Sequence, residues 1–209
     1  MDNGKFITIE GIEGVGKSTH MERLARRIED GGHKVITARE PGGTPTAELI
    51  REVVLGHNDE PISDIAELLL MFASRSLLVE NVIRPALTAG TWVVCDRFVD
   101  ASRAYQGGGR GIPMGQVNEL ASWVLGDLRP DLTILLDAPV DVGMSRAGSR
   151  GNPDRLDVER ADFYTRVRAS YLQLAEAEPD RFLVVDASGG LDEVSASVDA
   201  VATLILSNK

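Results

Sequence analysis

The sequence predicts an α/β fold: a three-layer sandwich in which helices cover both faces of a five-stranded, mostly parallel sheet. Three observations predict it. Short apolar, β-branched runs alternate with helical patterns along the chain. The runs are continuous rather than alternating, as in strands buried on both faces. A glycine-rich turn, Gly11-Ile12-Glu13-Gly14-Val15-Gly16-Lys17-Ser18, joins the first run to the first helical pattern. Such turns hold phosphate at a helix N-terminus.

The first strand is expected over 5–10, around Phe6-Ile7-Thr8-Ile9. Met21, Leu24 and Ile28 then recur at helical spacing. Gly31 and Gly32 stop that helix, and a second strand is expected over 34–38. Helices follow at 47–55 and 64–87; the second carries Ile65, Leu68, Leu69, Phe72, Leu77, Val79, Val82 and Leu87. Gly90 leads into a third strand at 91–95. Residues 107–111, three glycines then Arg110 and Gly111, read as a mobile loop inside the domain. A helix at 113–128 leads past Pro130 to a fourth strand at 132–136. Helices at 140–147 and 158–177, a strand at 182–185 and a helix at 191–206 complete the pattern. No repeat or linker interrupts it, so one domain is expected over 1–209.

Composition narrows the function. Hydrophobic residues make up 43% of 209, enough for one substantial core. A net charge of −10 disfavours non-specific nucleic-acid binding, which rests on neutralising phosphates. No apolar run approaches the roughly 20 residues that span a bilayer, so no membrane partner is expected. The start enters a strand without a secretory or transit pattern. Cys95 is the single cysteine, and a reducing, cytoplasmic setting is the expectation.

The glycine turn matches G-x-x-x-x-G-K-[ST], with a strand before it and a helix after it. In that setting backbone N–H groups from Gly11 to Thr19 cradle phosphates, Lys17 reaches the β- and γ-phosphates, and Ser18 holds Mg²⁺. Ligands of open α/β sheets lie at the carboxyl ends of strands. The second strand leads to Arg39-Glu40-Pro41-Gly42-Gly43-Thr44 and the third to Asp96-Arg97-Phe98. Asp96 and Asp137 both end apolar strands and compete as the Mg²⁺-facing carboxylate; Arg97 beside Asp96 favours the former. Arg97 suits a phosphate, or a salt bridge to a neighbouring acid. Glu13 is an unusual acid within a phosphate loop; it points to a sugar hydroxyl or a water, or is a solvent-exposed filler. Arg146, Arg150 and Arg155 lie among glycines and Pro153 in a short flexible lid at about 145–157. Closure of that lid would exclude water and bring arginines to the transferred group; the plainer alternative is a solvated basic loop. Phe72 and Arg75 share a helix face, which suits core packing or a base-binding pair. Ser102, Tyr105 and Gln106 line one side of a helical turn. His20, His33 and His57 form no metal pattern.

Taken in order, these segments resemble bacterial thymidylate kinases, within the P-loop nucleoside monophosphate kinases. The likeness rests on residues 6–19, the Arg39–Thr44 run, Leu70-Met71-Phe72-Ala73-Ser74-Arg75, Asp96-Arg97-Phe98, the stretch from Ala104 to Gly111, and Pro130-Asp131-Leu132-Thr133. The resemblance implies that ATP and Mg²⁺ convert dTMP to dTDP, supplying DNA synthesis, and that the protein is a homodimer. It implies that Phe72 stacks on thymine, that Arg75, Ser102 and Gln106 serve the base, and that Tyr105 lies under the sugar. Arg51 and Arg97 would bind the acceptor phosphate, with Glu40 and Pro41 in the same acceptor site. Glu13 would face the dTMP sugar. Lys17, Arg97, Arg150, Asp96 and Glu13 form the implied catalytic set, Ser18 and Asp96 the metal pair, and Arg146 an ATP contact. Ala101 departs from the serine usual in the family. The rivals are a kinase for another nucleoside monophosphate, a GTP-dependent switch and an inactive nucleotide-binding subunit. The switch lacks its Asn-Lys-x-Asp signature here, since the one Asn-Lys pair is Asn208-Lys209.

Overall fold

The computed structural model describes residues 4–56, 59–148, 155 and 159–207. The strands are β1 (Phe6–Glu10), β2 (Val35–Arg39), β3 (Trp92–Asp96), β4 (Leu132–Asp137) and β5 (Phe182–Asp186). They form one sheet in the order β2-β3-β1-β4-β5, and every pairing is parallel. The central register sets Ile9 beside Asp96 on one side and Ile134 on the other. The carboxyl ends of β1 and β3 are therefore neighbours, which brings the glycine loop beside Asp96 and Arg97.

Period-two alternation sends side chains of β1 and β3 to two cores. Ile7, Ile9, Trp92 and Val94 meet Leu24, Ile28, Tyr164 and Val198 on one face. Phe6, Val93 and Cys95 meet Leu68, Phe72, Leu78 and Val117 on the other. The expectation of strands buried on both faces holds for β1 and β3, which are buried throughout. It fails for the edge strands. β2 and β5 each carry exposed or half-exposed residues, because one flank has no neighbouring strand and helices cover it less completely.

The helices are α1 (Lys17–Asp30), α2 (Pro45–Leu55), α3 (Asp64–Leu78), α4 (Arg84–Thr88), α5 (Val99–Ser102), α6 (Met114–Leu125), α7 (Val140–Gly148), α8 (Ala161–Ala177) and α9 (Leu191–Ser207). Two differ from expectation. The single helix expected over 64–87 is α3, a π-helical turn over Val79–Ile83, and α4. Pro85 supplies the physical reason: it has no N–H to return to the fourth residue before it, and a wider turn relieves the mismatch. The glycine stretch expected as a mobile loop is instead part of a buried π-helical turn, Arg103–Gly109. It packs on α8 so closely that a Cβ on Gly109 would lie 2.5 Å from the Phe163 ring. Here glycine serves close approach rather than mobility.

Candidate active site

The site is a cavity of about 530 Å³ at the carboxyl ends of β1, β2 and β3. That is a volume suited to small-molecule binding. The glycine loop forms one wall. It is backed by α7: a Cβ on Gly143 would lie 2.6 Å from the Glu13 carbonyl oxygen, and one on Gly14 only 2.0 Å from the Gly143 carbonyl oxygen. The loop after β2 forms the opposite wall, with a cis peptide between Glu40 and Pro41. It is tied to its own segment, since Arg39 and Arg51 both donate to the Pro41 carbonyl, at 3.0 and 2.9 Å.

Lys17 and Arg97 bring two buried cations into this cleft. Lys17 Nζ donates to the Ile12 carbonyl at 2.8 Å and lies 3.9 Å from Glu13 Oε2. Arg97 donates to the other Glu13 oxygen, to the Gly11 carbonyl at 3.0 Å, and to the hydroxyls of Tyr105 and Tyr171 at 3.0 and 3.3 Å. Burial, then the positive charge of Arg97, lowers the Lys17 pKa against the pull of Glu13, Asp96 and Glu10. Burial also works against the Arg97 charge, but Glu13, Tyr105, Tyr171 and Asp96 outweigh it and hold that pKa well up. Arg97 has φ 69, the left-handed region. A bulky residue persists there only when its surroundings over-determine it, and these four acceptors do.

Ser18 Oγ donates to Asp96 Oδ2 at 3.0 Å, while Asp96 Oδ1 is buried with no protein partner. No group of three His, Cys, Asp or Glu gathers at metal spacing among the described residues. One carboxylate and one hydroxyl beside a phosphate cradle fit Mg²⁺, which takes few protein oxygens and completes its shell with phosphate and water. Asp137, the competing strand-end acid, is held by both nitrogens of the Arg168 fork, at 2.7 and 2.8 Å.

Most expected site residues meet here. Glu13, Gly14, Gly16, Lys17, Ser18, Thr19, Glu40, Pro41, Arg51, Asp96, Arg97, Tyr105 and Arg146 all line the cleft. Gly11, Ile12 and Val15 are buried beneath the loop. Phe72, Arg75, Ser102 and Gln106 do not line the cavity; they are buried behind the wall formed by Glu40, Met71 and Ala101. The Arg75 guanidinium lies 4.7 Å from the Phe72 ring centroid and donates to Glu40 at 2.8 Å, to Ser102 at 3.0 Å and to the Phe98 carbonyl at 2.9 Å. Gln106 donates to the buried Glu67 at 2.9 Å. One oxygen of Glu40 and the carbonyl of Gln106 are buried without a protein partner.

The basic stretch divides. Arg146, at the end of α7, donates to the carbonyls of Ala187, Ser188 and Gly189 at 2.7–2.9 Å, tying α7 to the loop after β5. Arg155 donates to the Val54 carbonyl and to Glu67, away from the glycine loop. Arg150 lies outside the described residues.

The sequence reading missed four lining residues: Arg39, Leu55, Met71 and Ala101. Leu55 was recoverable, since it sits one helical turn after Arg51. Arg39 lay within a segment already singled out. Met71 carried no signal of its own.

A parallel sheet of this order, with a lysine-bearing glycine loop and a strand-end Asp-Arg facing it, defines a P-loop kinase. Comparison with known proteins narrows the class. The family model described as thymidylate kinase matches residues 9–198. The chain is 52% identical over 198 residues to the thymidylate kinase of Methylococcus capsulatus, covering 95% of this chain and 94% of the relative. It is 51% identical over 203 residues to that of Pseudomonas savastanoi pv. phaseolicola, covering 97% of each. The crystal structure of thymidylate kinase from Ehrlichia chaffeensis superimposes with a TM-score of 0.77 at 31% identity, covering 96% of this chain and 99% of that one. The chain belongs to the thymidylate kinase family and is a phosphotransferase.

Proposed function

We propose that the protein transfers the γ-phosphoryl group of ATP to dTMP, with Mg²⁺, and so supplies dTDP for DNA synthesis. One observation carries the reading: Lys17, at the start of α1, and Arg97, just after β3, face one cleft with Glu13 set between them. Two anionic nucleotides can meet end to end there. A phosphate oxygen of dTMP forms the new P–O bond as the bond to the ADP oxygen breaks. That oxygen is already anionic, so the site needs no general base, and positioning with charge neutralisation does the work.

Lys17 and the loop N–H groups from Gly11 to Thr19 bind the donor phosphates. Ser18 and Asp96 would hold Mg²⁺, which would supply charge neutralisation at the phosphate oxygens. Arg97 and Arg51 orient the acceptor phosphate, and Tyr105 lies beneath its sugar. Anionic ligands compete with Glu13 for both cations, which frees its carboxylate for the dTMP sugar. Phe72 and Arg75, with Ser102 and Gln106 beside them, serve the base once the wall of Glu40, Met71 and Ala101 in front of them shifts; Glu40 and Pro41 close the acceptor side. Arg146 contacts ATP from the last turn of α7, and Arg150 the transferred group from the lid expected at about 145–157 of one kinase domain.

We place the protein in the cytoplasm; its single cysteine is buried and free, and no helix of the described residues is long and apolar enough to cross a membrane. A second copy is the expected partner, through the outer face of α3 and α6, where Ile65, Leu69 and Trp123 are exposed.

Steady-state phosphoryl transfer with dTMP, dUMP, CMP, AMP and thymidine as acceptors tests the function. The expected result is a clear preference for dTMP, with Lys17→Ala reducing kcat by on the order of a hundredfold or more. A preference for AMP or CMP, or a Lys17→Ala enzyme within a few-fold of wild type, overturns the assignment.

A further inference from the structure

Glu10 ends β1 and does not line the cleft, yet it is completely buried beneath it. Its Oε1 accepts the Phe98 N–H at 2.7 Å. Its Oε2 is 2.7 Å from the Tyr171 hydroxyl, and that hydroxyl also accepts from Arg97 Nη1 at 3.3 Å. One carboxyl group thus grips both ends of the residue between these contacts. The left-handed backbone of Arg97 is held from the following N–H, and its guanidinium from the far side of the tyrosine. The reaction as derived above gives Glu10 no part.

We propose that Glu10 is the positioning residue for Arg97, setting its backbone through Phe98 and its side chain through Tyr171. The proposal rests on Arg97 binding the acceptor phosphate. Glu10 also carries the proton at neutral pH. Burial and then the nearby Asp100 push its pKa up to about 8, against Tyr171, Arg97 and the Phe98 N–H. The other titratable groups that feel it are Lys17 and Cys95. Asp100 is itself paired with Arg103 and Arg181. A glutamine reproduces the neutral carboxyl: its carbonyl accepts from Phe98 and its amide donates to Tyr171. An alanine reproduces neither contact. Above about pH 8 the carboxylate adds a negative charge below the acceptor phosphate and weakens its binding.

The test is steady-state kinetics of wild type, Glu10→Gln, Glu10→Ala, Tyr171→Phe and Arg97→Ala, with dTMP and ATP varied in turn. At pH 7, Glu10→Gln keeps both KM values within about twofold of wild type, while Tyr171→Phe and Glu10→Ala raise KM for dTMP by about three- to tenfold and leave KM for ATP within about twofold. Between pH 7.5 and 9 the wild-type KM for dTMP rises, and that of Glu10→Gln stays flat. If Glu10→Ala does not fold, Tyr171→Phe and the pH profile of Glu10→Gln decide. Unchanged KM for dTMP in Tyr171→Phe, or equal shifts for both nucleotides, overturns the proposal. Arg97→Ala separates the two failures: unchanged KM for dTMP in that variant removes the phosphate-binding reading itself, whereas a raised value beside an inert Tyr171→Phe removes only the role of Glu10.

Discussion

Glu10 shows how a single side chain couples folding to pH. Its pKa is about 8 in the folded protein against an ordinary 4.5. Between those values the folded chain holds a proton that the unfolded chain has released. The stabilisation is complete below about pH 4.5 and is lost as pH rises to about 8, an effect on the order of a few kcal/mol. Urea denaturation at pH 5, 6.5 and 8 is expected to show stability falling along the series, and Glu10→Gln is expected to flatten the fall. A wild-type slope retained by that variant counts against this origin. Nothing in the sequence marked Glu10 beyond its place as the last residue of the first expected strand, because its buried partners Phe98 and Tyr171 are distant along the chain. The same holds for Asp100 and Arg181, whose buried ion pair only the tertiary structure brings together. Lys17, Ser18, Asp96 and Arg97 were legible, since their spacing from strand ends is itself the geometric requirement. Arg75 was legible as a functional candidate, but its enclosure by Glu40, Ser102 and Phe98 was not: those partners are 23 to 35 residues distant along the chain.

At the scale of elements, the contact between α7 and the glycine loop is the most exacting. A Cβ on Gly143 would lie 2.6 Å from the Glu13 carbonyl oxygen and 2.9 Å from Ile12 Cδ1; the side-chain tip can give way, but the loop backbone cannot without moving. Gly143→Ala is therefore expected to displace the loop: KM for ATP rises by about tenfold, while KM for dTMP changes much less. Equal changes for both nucleotides, measured by initial rates, would place the damage elsewhere. Hydrophobic periodicity located all the strands and the longer helices, because apolar spacing follows directly from how each element buries a face. It did not locate the two π-helical turns. A widened turn keeps the apolar residues inward, so the pattern over 64–87 looks continuous although Pro85 interrupts the hydrogen-bond ladder. Nor does composition distinguish glycines that loosen a chain from glycines that let two helices touch, which is why residues 107–111 read as a loop although Gly107, Gly108 and Gly109 lie in a π-helical turn.

For the whole molecule, sheet order does the main work. With β1 central and β3 beside it, the glycine loop and the segments after β2 and β3 open on one cleft, and the long α8 braces the Arg103–Gly109 turn from behind. The net charge of −10 leaves local arginines to attract nucleotides. The outer face of α3 and α6 carries Trp123 at 87% exposure, with Leu69 at 52% and Ile65 at 50%. Apolar surface grouped in this way marks an interaction site. Light scattering is expected to give twice the chain mass for wild type and the single mass for Trp123→Glu, with thermal stability little altered in the separated chain. A wild-type protein of single mass at tens of micromolar removes the dimer.

The same tryptophan makes the protein its own spectroscopic probe. Of the two indoles, Trp92 is enclosed and stacked on His33, whereas Trp123 stands in solvent. Emission from the isolated chain should be red-shifted and readily quenched by iodide. Any surface that settles over α6 will move the spectrum to the blue and shelter it from the quencher, so dilution followed in a fluorimeter reports assembly without a label.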